Sequence, residues 1–138
     1  MKRSPLFVAV VPLAIVVFIL INFARPPWTP LRIFGLVLAL PGFALLTTAR
    51  FQLGNAFSVT PQATMLVSHG IYSRIRHPVY VFSAIAIAGL VLYMDFPQFL
   101  LLFVVLIPLQ IMRARREERV LEDRFGEEYR RYKSTTWF

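Results

Sequence analysis

Four apolar runs, residues 6–23, 31–49, 79–94 and 96–112, set the limits on what this chain can fold into. Each is close to the roughly 17–25 residues needed to cross a hydrocarbon core. None alternates with the polar face that a soluble amphipathic helix carries. Residues of the hydrophobic class make up 57% of the chain, above the roughly 45–50% of a soluble domain, and mean hydropathy is +0.63. The sequence therefore predicts an all-α fold: a polytopic membrane helical bundle of about four transmembrane helices, with a cytosolic loop and a C-terminal helix. The length of 138 residues fits one domain, 1–138.

The breaks between runs are chemically clear. The first run is longer than the apolar core of a secretory signal, and the residues after it make a poor cleavage site, so a retained first span is expected. Pro26-Pro27-Trp28-Thr29-Pro30 cannot continue a helix, and Trp28 suits a membrane interface. Arg32 and Arg50 bound the second run and are expected to reach toward headgroups. Residues 50–78 form a long polar connection, and a loop of that length in a small domain is usually functional or disordered. Asp95-Phe96-Pro97 joins the last two runs as a tight helical hairpin. The tail keeps a helical apolar stripe at Val120, Leu121, Phe125, Tyr129 and Tyr132, with Gly126 as an interruption.

Charge gives the topology. With four spans, 13 of the 15 basic residues lie on one side, leaving Arg25 and Arg32 on the other. The positive-inside rule places both termini and the long loop in the cytosol, as a multi-pass protein. The net charge of +8 then reflects contact with anionic membrane lipids rather than nucleic acid. The chain has no cysteine, which excludes disulfides, thiolate metal sites and a cysteine nucleophile. Six of the seven acids lie at or beyond Glu117, and the two histidines are His69 and His77. No metal site is expected from that distribution, and no phosphate-binding glycine loop is present.

Two polar segments meet on the cytosolic side in this topology. One is Gly70-Ile71-Tyr72-Ser73-Arg74-Ile75-Arg76-His77-Pro78-Val79-Tyr80, leading into the third run. Pro78 suits a first helical position, which sets His77 at the cap, where backbone donors and the helix dipole favour an anion such as a carboxylate. Tyr72 and Tyr80 offer flat faces with polar tips. The other segment leaves the fourth run with Arg113 and Glu117 one turn apart. Together they offer anion-binding groups, aromatic faces and one or two carboxylates. Chemistry suited to such a set depends on positioning and desolvation, as methyl transfer from a sulfonium does, with the reactive carbon brought by a cofactor.

The pattern G-I-Y-x-x-x-R-H-P-x-Y, a hydrophobic hairpin, and then R-x-x-x-E-E-x-x-L-x-x-x-F-G-x-E-Y-x-x-Y resembles the isoprenylcysteine carboxyl methyltransferase and phospholipid methyltransferase superfamily over residues 50–133. The resemblance implies S-adenosylmethionine (S-adenosyl-L-methionine) as cofactor, held between the loop and the helix after the hairpin. It implies cofactor contacts at Thr64, Met65, Leu66, Val67, Tyr72, His77, Pro78, Val79, Tyr80 and Glu117, and an acceptor-side catalytic arginine at Arg113. The implied partner is a lipophilic acceptor: an isoprenylcysteine-like carboxylate, a phospholipid amine or another small lipid. Two positions depart from the pattern, Phe82 where a glycine is common and Asn55 where a basic residue is common.

Plainer roles stand beside these. Glu117 also reads as a solvated i,i+4 partner of Arg113, Arg74 and Arg76 as headgroup anchors, and Tyr129 and Tyr132 as docking residues for the tail. Rival functions are an NADPH-dependent membrane reductase of the sterol-reductase type and a non-enzymatic membrane scaffold. A transporter ranks third, because no ionisable residue sits mid-span.

Overall fold

The computed structural model describes residues 5–25, 27–54 and 66–137, so the expectations for Thr64, Met65 and Asn55 lie outside the described residues. The order is α1 (Pro5–Phe23), α2 (Pro30–Leu53), a 3-10 turn (Gly70–Ser73), α3 (Pro78–Tyr93), a second 3-10 turn (Pro97–Leu102), α4 (Phe103–Phe125) and α5 (Glu127–Thr135). No strand occurs among the described residues.

Prolines open the elements, because a missing N–H costs nothing in a first turn. Pro30, Pro78 and Pro97 each do so. Thr29 caps α2, its Oγ1 accepting from the Arg32 N–H at 3.1 Å. Asp95 turns the chain between α3 and Pro97 with φ +64°, a conformation Asp tolerates better than most residues. Gly126 ends α4 at φ +52°, and α5 resumes at once, as the interruption read in the tail implied.

Two stretches are long and apolar enough to cross a membrane: α2, and the continuous run Pro97–Phe125. The helix α3, with 16 residues, is shorter. No residue of the apolar stretch of α4 is buried against the rest of the chain, and Leu101 and Val104 are each 73% exposed. An apolar face that large and uncovered is foreign to a soluble monomer.

The packed centre is the antiparallel pair α2 and α3. Gly35, Ala39, Gly42 and Ala49 of α2 face Phe82, Ala86, Gly89 and Tyr93 of α3, all buried. The backbones touch: a Cβ on Gly42 would stand 2.9 Å from Ala86 Cα, and one on Gly89 2.8 Å from the Gly35 carbonyl oxygen. Small residues bring helices together where no hydrophobic force does, through dispersion at close range. By contrast α4 does not pack along α2 or α3. It is joined to α3 by the turn at Asp95 and meets it again at the other end, through polar side chains described below.

At the turn end, Arg32 corrects the expectation of a headgroup anchor. Its guanidinium points inward. Nη1 donates to the Arg25 carbonyl at 2.7 Å, Nη2 donates to the Asn22 carbonyl, and the group lies 5.0 Å and 4.9 Å from the Trp28 and Tyr93 ring centres. The free carbonyls at the end of α1 hold it better than a distant headgroup would. Tyr93 donates to the Ile19 carbonyl at 2.9 Å, and Thr29 to Asp95 at 3.4 Å. These contacts tie α1, α2 and α3 together at one end.

Candidate functional site

The opposite end of α3 gathers the residues singled out by sequence. Its floor is the apolar cluster of Ala49, Val67, Tyr72 and Phe82. Phe82, the departure from glycine, is buried in this floor. Val67 is buried beside it, and Leu66 is half-buried. Gly70, at φ +61°, adopts a left-handed conformation that favours glycine and lies against the end of the Gln52 side chain, which would have to shift to admit a Cβ. Gln52 Oε1 accepts from the Ile71 N–H at 2.8 Å. The end of α2 thus fixes the turn that carries Tyr72.

Tyr72 is buried, yet its hydroxyl has no hydrogen-bond partner among the described residues. A buried unpaired hydroxyl costs about 1–3 kcal/mol, so its presence marks a place where a partner is expected. Burial pushes its pKa above the usual tyrosine range. The neighbouring Tyr132 and Glu117 add to the shift, and Arg50 opposes it.

The start of α3 meets α4 through Tyr80 and His77. The Tyr80 hydroxyl donates to Glu117 Oε1, and the Arg113 guanidinium lies 5.9 Å from the centre of the Tyr80 ring. Arg113 Nε is also 3.7 Å from Glu117 Oε1, so the i,i+4 pair and the site role coexist. His77 Nε2 lies 3.2 Å from Glu118 Oε1, and Nδ1 lies 4.0 Å from Glu117 Oε2. The shorter contact makes Nε2–H the donor to Glu118.

The helix start offers fewer free donors than the sequence suggested. Pro78 has no N–H, and the Tyr80 and Val81 N–H groups both bond to the His77 carbonyl. That leaves Val79 N–H and the side chains to face a ligand. Pro78 itself is fully buried and Val79 half-buried.

Glu118 was not singled out by sequence, and it is the most connected carboxylate of the cluster. Besides His77 it holds Lys133 Nζ at 2.9 Å, and Arg76 Nε lies 3.2 Å away as an ion pair without good hydrogen-bond alignment. Burial alone would raise its carboxyl. Hydrogen bonds from Lys133 and His77, with the charge of Arg76, outweigh burial and hold it below the usual carboxylate range. The signal for it was the Glu117-Glu118 doublet. Adjacent positions point about 100° apart on a helix, and sequence alone did not show that each would find its own partners.

The tail closes over this cluster. Tyr132 donates to the Tyr72 carbonyl at 2.7 Å, Arg76 Nη1 donates to the Lys133 carbonyl at 3.2 Å, and the Trp137 N–H donates to the Arg74 carbonyl at 2.9 Å. Burial pushes the Tyr132 hydroxyl up to about 12, so it remains a neutral donor at ordinary pH. Tyr129 is wholly buried. Both tyrosines dock the tail, as their place in the apolar stripe implied. Tyr72, His77, Tyr80, Arg113 and Glu117 all converge, and His69 remains outside as an exposed loop residue.

A family model described as phospholipid methyltransferase matches residues 29–128. The match runs from the cap of α2 to the second residue of α5 and so includes every described residue of the cluster except Tyr129, Tyr132 and Lys133. No curated protein and no solved structure gives a significant match.

Proposed function

The chain belongs to the phospholipid methyltransferase family, and from that premise we propose that it is an integral membrane enzyme that moves a methyl group from S-adenosylmethionine to a lipophilic acceptor. The whole chain acts as one domain. Its four apolar helices lie in the bilayer, with both termini and the cluster at the cytosolic face. The excess of basic residues at that end supports this orientation. Among acceptors, a phospholipid amine agrees best with the family description; an isoprenylcysteine-like carboxylate or another small lipid fits the same apolar approach.

The observation that carries the reading is the joining of the two polar segments by Tyr80–Glu117 and His77–Glu118 beside the unpaired, buried Tyr72 hydroxyl. These residues fit the cofactor. Tyr72 has a hydrogen bond to give, Tyr72 and Tyr80 have aromatic faces for a purine or a sulfonium, and Glu117 has a carboxylate for hydroxyls or an ammonium. S-adenosylmethionine supplies the electrophilic methyl carbon and a neutral thioether leaving group.

The protein supplies position and a dry setting. Tyr80 and Arg113 fix the Glu117 carboxylate, so little reorganisation remains when a ligand binds. His77, flanked by two carboxylates, sets the spacing between the α3 start and α4, and with Val79 N–H and Arg76 nearby it bounds the end that would receive the methionine carboxylate. Residues 64–67 would face the adenine. Arg113, at the end of the apolar stretch, orients the acceptor head. The tail and the floor residues Val67 and Phe82 exclude water. Because α4 does not pack along α2 or α3, the acceptor's chains reach the cluster from the bilayer side.

The test is to incubate purified protein with methyl-labelled cofactor and a total membrane lipid extract. Label is expected in a lipid fraction, and its rate of appearance is expected to fall about 100-fold with Glu117→Ala. Label in no lipid or lipid-modified acceptor, or NADPH-dependent reduction in its place, contradicts the reading.

A further inference from the structure

Trp137 is in an unusual position. Its backbone is fixed: the N–H donates to the Arg74 carbonyl at 2.9 Å, and the preceding Thr136 is buried. Its indole is 78% exposed, more than any other large apolar side chain among the described residues.

Its place in the fold gives the reason. Arg74 stands four residues ahead of Pro78, where α3 begins, so the Trp137 backbone is pinned close in sequence to the point at which α3 enters its apolar run. The other tryptophan, Trp28, precedes α2 at the far end of the same helix pair. Tryptophans at both ends of membrane helices form the aromatic belts of the two interfaces. The loop residue that holds its backbone, Arg74, is basic and exposed, which complements an anionic leaflet.

We infer that Trp137 is an interfacial anchor, with its indole seated in the headgroup layer of an anionic leaflet beside Arg74. The partner is the lipid surface itself. The anchor gives the tail a second attachment besides the protein contacts of Tyr132 and Lys133, so the cover over the cluster is held in place by the membrane. The inference rests on the reading that the apolar helices lie in a bilayer. It does not depend on the identity of the methyl acceptor.

Two tryptophans make the test direct. Full-length protein is reconstituted in phosphatidylcholine vesicles with and without phosphatidylserine, as Trp28→Phe (Trp137 reporting) and as Trp137→Phe (Trp28 reporting). Emission is read with lipids brominated on the acyl chain and with aqueous iodide. Trp137 is expected to be quenched by the brominated lipid at least twofold more than by iodide, with blue-shifted emission and stronger lipid quenching when phosphatidylserine is present. Iodide quenching of Trp137 without lipid quenching, while Trp28 responds to lipid, overturns the anchor and leaves the bilayer reading intact. Failure of both residues to respond to lipid overturns both. If Trp28→Phe does not fold, subtracting the Trp137→Phe signal from that of the unaltered protein gives the same quantity.

Discussion

At one end of α3, Arg32 is surrounded by Trp28, Tyr93 and the carbonyls of Arg25 and Asn22. At the other end, Arg76 and Arg113 stand among His77, Tyr80, Glu117 and Glu118. Both ends combine arginine with aromatic rings, and they differ in what the polar atoms face. At the Arg32 end the guanidinium donates to backbone carbonyls and the Tyr93 hydroxyl is spent on Ile19, so the end acts as a clasp. At the other end a buried Tyr72 hydroxyl is left without a protein partner, and carboxylates stand at the edge of an apolar floor. Residue type does not separate the two ends, and neither does a single unpaired atom, since Arg32 Nε at the clasp and the Tyr129 hydroxyl in the docked tail also lack partners among the described residues. What differs is that only the Tyr72 end gathers carboxylates, a histidine and aromatic hydroxyls from two distant segments.

The strongest challenge is to the seam that holds both ends in register. Gly89→Leu should cost about 3 kcal/mol, at the upper end of overpacking effects, because a Cβ there already meets the α2 backbone. Thermal unfolding in detergent measures it, and both ends should fail together. Next, Glu117→Ala should lower methyl transfer about 100-fold, the scale of lost positioning, with helix content by circular dichroism unchanged. That result separates the open end from the clasp.

Arg32→Ala should do the reverse. Loss of charged hydrogen bonds to the α1 carbonyls should reduce stability by about 2 kcal/mol while activity per folded molecule stays within about twofold. Tyr72→Phe is smaller and sharper. The hydroxyl has no partner to lose, so stability should hold or rise slightly, whereas the KM for cofactor should rise about tenfold, the value of one hydrogen bond made to ligand.

The smallest expected effect is with pH. The Glu118 carboxyl, beyond the apolar part of α4, is depressed in the folded protein by Lys133, His77 and Arg76. Its stabilising contribution is therefore complete above the ordinary glutamate value of about 4.3 and is lost as pH falls further, through the lower folded value. Hydrogen exchange should show α5 loosening in acid before α2 and α3 do, with Lys133→Met removing most of the difference.

Much of this was legible in the sequence because it rests on backbone chemistry. Pro30 and Pro78 announced helix starts, Asp95-Phe96-Pro97 a turn, and Gly126 a break in the tail. The convergence of Tyr72, His77, Tyr80, Arg113 and Glu117 was legible through the order and spacing of two motifs. The seam was not, because Gly35, Ala39, Gly42, Ala86 and Gly89 sit in runs that are apolar on every side and show no favoured face. Arg32 was misread because a run boundary gives no direction to its side chain, and the carbonyls that capture it are supplied by the end of α1. Glu118 was overlooked because its partners come from two distant segments, Arg76-His77 and Lys133.

The most direct measurement is to irradiate the protein with methyl-labelled S-adenosylmethionine under ultraviolet light and map the labelled peptides. Label should fall within residues 66–80 and 113–118, compete away with S-adenosylhomocysteine, and weaken with Tyr72→Phe. Competable label confined to peptides around Trp28, Arg32 and Tyr93 would contradict the account, since it would assign the ligand to the end described here as a clasp.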